Sequence, residues 1–213
     1  TATQSFTIEG SSPGTTFVQS GVDFAAGGGS DVLYLRRFKD GFKNLTVRFG
    51  KYGLYPRDCA SCTVENGHFK YLGSVGTPNR HNLSGTKAEQ AAYWASADTT
   101  NGGACRIRSC EHVRVHSCRV DLCLRGLRIQ DCGTIDNLST VSNCRVSRVL
   151  ESGIYLAAGS YTGTDGCVNF KIVGNSVYRA FNNRVLLIGG HNCSVLGNTI
   201  DRAANCAVQV YYG

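Results

Sequence analysis

Two stretches decide the fold: IVGNSVYRAFNNRVLLIGG, residues 172–190, and VLGNTIDRAANCAVQVYYG, residues 195–213. Laid one on the other without a gap, they match at the apolar anchors Ile172 and Val195, then at Val177 and Ile200. They also match at Asn175 and Asn198, at Arg179 and Arg202, at Asn182 and Asn205, and at the closing glycines Gly190 and Gly213. Repetition at a fixed period is the mark of a solenoid, and it is sought before any single element is assigned.

Working outward, the frame apolar, any, small or polar, small or polar, any, apolar recurs three more times. It is met at Val64–Phe69, Val115–Val120 and Val141–Val146. Val120 leads into DLCLRGLRIQDCG and Val146 into SRVLESGIYLAAG, closing on Gly133 and Gly159, thirteen residues past each anchor. Anchor spacings of 23, 31 and 26 residues separate Val195, Ile172, Val141 and Val115. A basic coil near 23 residues with insertions suits three short strands and three corners. A leucine-rich repeat needs a leucine and asparagine frame that is missing. A propeller blade is about twice as long.

The expected fold is therefore all-β: a right-handed parallel β-helix, single-stranded, with three short strands per coil and about seven coils. Residues 1–213 form one such domain. Both ends read as strand, so a segment of a longer chain is expected. Equivalent positions form columns along the axis. Asn175 and Asn198 share a corner column with Cys118 and Cys144, and Asn182 and Asn205 share another with Glu151. Val149, Ala180 and Ala203 make a small inward column. Residues 75–100 are an insertion, holding the best helix candidate, Thr86 to Ala97.

Composition agrees. Gly is abundant at 26, Pro scarce at 3 and Met absent, as suits a turn-rich β chain. No apolar run reaches the ~20 residues that span a bilayer, so membrane insertion is not expected. The net charge of +7 favours an anionic partner. The basic residues are dispersed and not interleaved with aromatics in sequence, so nucleic acid is not the expected partner.

FTIEGSSPGTTFV (6–18), GFKNLTV (41–47), FKIVGNSVYRA (170–180) and CSVLGNTIDRA (193–203) resemble rungs of the pectate-lyase-like β-helix superfamily, and within it phage tailspike proteins. The resemblance implies a tailspike or tail-fibre segment that recognises a bacterial surface polysaccharide, with or without depolymerising it. It also implies a homotrimer, carried on a virion and made in host cytoplasm. A free, secreted polysaccharide lyase, hydrolase or epimerase on acidic glycan, and an inactive virion spacer, are the alternatives. The catalytic signatures of polygalacturonase-like hydrolases are absent, Arg128-Ile129-Gln130 being a partial echo only.

Solenoid insertions gather on the binding face. Trp94 and Tyr93 on the large insertion, and Tyr161 on the smaller one at Ser160 to Gly166, are candidate sugar platforms. Arg148, Arg179 and Arg202 repeat at one position and form a candidate row for reading acidic groups, or else pair with Asp201 or Glu151. Glycoside hydrolysis needs two carboxyl groups. Glu151, standing where later repeats carry asparagine, and Asp165 on the smaller insertion are the candidate catalytic pair.

No metal or cofactor is expected. Cys59-Ala-Ser-Cys62 is a lone CxxC pair without companions. The 11 cysteines recur at coil positions and are read as small buried hydrophobes, mostly free thiols formed in a reducing compartment.

Overall fold

The computed structural model describes residues 4–5, 7–14, 17–19, 32–39, 41–72, 102–149, 151–158, 166–180, 185–201 and 206–211. These build three seven-stranded parallel sheets and a small pairing of Gln4–Ser5 with Phe38–Lys39. The first sheet stacks Ile8–Glu9, Gly41–Lys43, Cys62–Glu65, Val113–His116, Ser139–Ser142, Phe170–Val173 and Ser194–Leu196. The second stacks Phe17–Gln19, Thr46–Gly50, His68–Leu72, Arg119–Cys123, Arg145–Val149, Ser176–Ala180 and Thr199–Asp201. The third stacks Leu33–Arg36, Tyr52–Arg57, Gly103–Arg108, Leu127–Gln130, Ile154–Ala157, Val185–Ile188 and Val208–Tyr211. The chain visits the sheets in strict rotation, which makes seven coils of a right-handed parallel β-helix.

The anchors stack in register. Val64, Val115, Val141, Ile172 and Val195 pair successively in the first sheet. Phe69, Val120, Val146, Val177 and Ile200 do so in the second. Val64 through Ile172 and Phe69 through Val177 are at most 2% exposed. Each coil hides its inward row only by stacking on its neighbours, worth about 1.5–3 kcal/mol per fully buried Val or Phe side chain.

The corner between the first two sheets explains the small-or-polar pair in the repeat. Asn44, Asn66, Ser117, Asn143, Gly174 and Gly197 each take the left-handed conformation there, with φ from 52° to 65°. Asn, Ser and Gly tolerate that conformation better than branched residues. The following residue points inward. Asn175 is 1% exposed and accepts the Cys144 N–H at 2.9 Å. Asn198 likewise accepts the Asn175 N–H at 2.8 Å. In earlier coils Cys118 and Cys144 fill the position, their thiols directed to backbone carbonyls such as Val64 O at 3.5 Å and Val115 O at 3.8 Å.

One alignment needs correction. Val120 to Leu127 is seven residues and Val146 to Ile154 is eight, yet Leu127 stands opposite Ile154. The Val120 block is therefore one residue short at the corner between the second and third sheets. Gly133 comes three residues after Gln130, whereas Gly190 comes two after the equivalent Ile188. The residue is lost where the connection is irregular, so the core rows on either side keep their register.

All eleven cysteines are free and nine are buried, with Cys193 and Cys206 half-buried. Val149 and Ala180 pair as expected and are each 1% exposed. Ala203, Asn182, Asn205, the insertion 75–100 and its helix candidate lie outside the described residues.

Candidate functional site

Strand alternation sets which side chains leave the shaft. On the third sheet, Cys105 and Ile107 point inward and release Arg106, as Leu127 and Ile129 release Arg128. In-register pairing then makes an outward column: Tyr34 beside Tyr55, Tyr55 beside Arg106, Arg106 beside Arg128, Arg128 beside Tyr155. Tyr34 and Tyr55 meet edge to face at 5.2 Å. The Arg106 guanidinium lies 5.0 Å from the Tyr55 ring and 5.6 Å from Tyr52, and Arg128 lies 5.3 Å from Tyr155. Stacking on tyrosine fixes a guanidinium without using its donors.

A second outward column, two residues on, holds Arg36, Arg57, Arg108 and Gln130. These arginines have counter-charges at the corner. Arg36 Nε donates to Asp58 Oδ2 at 2.8 Å, Arg57 lies 3.5 Å from Asp58, and Arg108 lies 3.9 Å from Asp131. Burial works against the Asp58 carboxylate, but Arg36 and Arg57 outweigh it and hold its pKa below the usual value. The face thus combines aromatic rings, five strand arginines and short acidic corners.

The first sheet carries a groove of about 530 Å³, lined by Lys43, Glu65, Arg114 and His116 among others. Glu65 lies 3.6 Å from Lys43, and His116 Nδ1 is 3.0 Å from Ser142 Oγ. It holds no Phe, Tyr or Trp, so it offers hydrogen bonds but lacks the tyrosine platform of the third sheet.

The sequence candidates fall as follows. Glu151 sits at the corner leading into the third sheet and forms an ion pair with Arg125, the two side chains being 15% and 11% exposed. Desolvation opposes the charge on Arg125, and Glu151 more than compensates, leaving its pKa above the ordinary arginine value. Glu151 therefore serves as the counter-charge of a buried cation. Asp165, Trp94, Tyr93 and Tyr161 lie outside the described residues.

Arg148 and Arg179 are equivalent, both in the left-handed conformation at φ 52° beside Val149 and Ala180. Arg202 lies outside the described residues. Arg148 pairs with Asp121, Nε to Oδ1 at 2.8 Å, and not with Asp201 or Glu151. The reason is register: Asp121 is one coil back, opposite Ser147, which donates to it at 2.8 Å, and this sets its carboxylate beside the next residue, Arg148. Arg179 lies 5.1 Å from the Tyr178 ring.

Tyr34, Tyr55, Arg106, Arg128 and Tyr155 were not legible as a site, because their column changes residue type from coil to coil. The available signal was period-two alternation around Ile107 and Ile129, which marks Arg106 and Arg128 as outward. Among the described residues no group of three His, Cys, Asp or Glu is placed to hold a metal.

No curated protein and no solved structure gives a significant match to the chain. A family model described as "Right handed beta helix region" matches residues 31–200. That match, the three stacked parallel sheets and the seven-coil register agree, and the fold is consistent with proteins that bind or degrade polysaccharides. The chain belongs to the right-handed β-helix family.

Proposed function

We propose that this chain is a segment of a phage tailspike or tail fibre, trimeric on the virion, that recognises a bacterial surface polysaccharide along the third sheet. One observation carries the reading: the in-register column Tyr34, Tyr55, Arg106, Arg128, Tyr155 on a rigid parallel sheet. Sugar rings present C–H faces to aromatics and hydroxyl or acidic groups to guanidinium forks. A row of such groups at one strand spacing, about 4.8 Å, suits an extended polymer better than an isolated small molecule. The overall charge of +7 supports an anionic glycan.

The test is binding of the full chain to capsular polysaccharide and lipopolysaccharide panels, with Tyr55→Ala and Tyr155→Ala as variants. Both substitutions should weaken binding at least tenfold while the circular dichroism spectrum is kept. Binding that ignores both would remove the third sheet from the reading. A protein that binds no glycan in the panel would be a spacer.

A further inference from the structure

We infer that Arg106 and Arg128 together form a carboxylate subsite, seating the acid group of a uronate-type sugar. The inference rests on the glycan reading above and deepens it to an acidic glycan at a named position.

Three observations converge. First, each guanidinium lies against a tyrosine ring of another coil. Arg106 stacks on Tyr55, one coil before it, and Arg128 on Tyr155, one coil after it. The two forks stand on adjacent strands, and stacking on the rings leaves their in-plane donors available to an acceptor. A planar carboxylate is the acceptor such forks fit best.

Second, the charge here is uncompensated. The neighbouring column has its acids, Asp58 for Arg36 and Arg57 and Asp131 for Arg108. Arg125 has Glu151. Among the described residues neither Arg106 nor Arg128 forms an ion pair. The sole side-chain hydrogen bond of Arg106 there is its Nη2 donation to the neutral Gln130 Oε1 at 3.2 Å. Like charges in adjacent coils repel, and a fold that needed only stability would place an acid between them.

Third, donors are already dehydrated. The Nε atoms of Arg106 and Arg128 are both buried without a hydrogen-bond partner. Burial, and then the charges of Arg125 and Arg106, hold the Arg128 pKa below the ordinary arginine value. Buried donors left unmet cost stability that a ligand restores.

The experiment follows arginine Nε–Hε signals by NMR in the whole chain, titrated with sodium glucuronate, with its neutral methyl ester and with inorganic phosphate. Saturable shifts at Arg106 and Arg128 with glucuronate, at least tenfold weaker with the ester and with phosphate, are expected. Arg128→Gln should lose the response, yet melt no lower than wild type, because it removes a repelled cation. Equal response to acid and ester, preference for phosphate, uniform drift of all exposed arginines, or a collapsed Arg128→Gln fold would each overturn the subsite. A failed monosaccharide titration beside retained polysaccharide binding leaves the glycan reading standing and removes only the subsite. Glucuronate seated here by a chain that binds no polysaccharide does the reverse.

Discussion

Asn175 Nδ2 donates to Asn198 Oδ1 at 2.9 Å, so the side chain of one coil is held by the same side chain of the next. Asn175 also donates to Val141 O at 2.9 Å and accepts from the Cys144 N–H. Three coils are thus tied through a residue that is 1% exposed. Asn175→Ala leaves the buried N–H of Cys144 unmet, worth ~1–3 kcal/mol, and also removes the bonds to Val141 O and Asn198. The expected loss is about 2–4 kcal/mol, read from urea unfolding at constant slope. A loss under about 0.5 kcal/mol would mean that water replaces the amide.

Thiol burial makes the fold alkali-sensitive. Desolvation pushes the Cys123 and Cys167 thiols up to about 12 and raises those of Cys62 and Cys105, against an ordinary value of 9.0. Above pH 9 the unfolded chain therefore holds fewer protons than the native one, and stability falls as pH rises toward the folded values. The slope approaches about 1.4 kcal/mol per pH unit for each such thiol. Denaturant midpoints under reducing conditions should drop steeply between pH 8.5 and pH 10.5. A flat profile there would show that the thiols are not protected.

Ser117 sits at φ 53° in the corner row where later coils carry Gly174 and Gly197. Ser117→Gly should be neutral or stabilise by up to about 1 kcal/mol, since glycine takes this conformation without strain. Ser117→Val should cost ~1–2 kcal/mol, because a β-branched residue resists the left-handed region. Thermal melts of the two variants should separate in that order, and the reverse order would refute the corner geometry.

Glu151 tests structure and chemistry together. Glu151→Gln removes the counter-charge of Arg125 at a site where both side chains are at least 85% covered, an expected loss of about 3 kcal/mol. Arg125→Met with Glu151→Met should recover most of it. If the chain cleaves glycan with Glu151 and Asp165, release of oligosaccharide vanishes in both Glu151→Gln and Asp165→Asn. Release that persists in both excludes the pair from catalysis.

The anchors were readable because the step from the first to the second sheet is constant. Val64 to Phe69 and Val195 to Ile200 span the same five residues, and every coil between them keeps that step. Register over those two sheets follows from letters alone. The third sheet was less legible, since the connection into it varies between seven and eight residues before Leu127 and Ile154. The site was the least legible. Inward positions must repeat to stack, whereas outward ones answer to solvent or ligand, so Tyr55, Arg106, Arg128 and Tyr155 share a column without sharing an identity. The backbone position of Arg148 and Arg179 recurs at φ 52° in both and at φ 54° in Leu122, so the geometry repeats whether or not the residue is arginine.

The left-handed corner works as the spine of a book. Its binding margin is five residues wide in every coil from Val64 onward, and pages differ only in how far they reach at the other two edges. Thirty residues separate Leu72 from Gly103 at one edge, and twelve separate Ala157 from Phe170 at another, without disturbing a single anchor pair. New segments are therefore grafted at those edges, where they change what the shaft displays and leave its pagination intact.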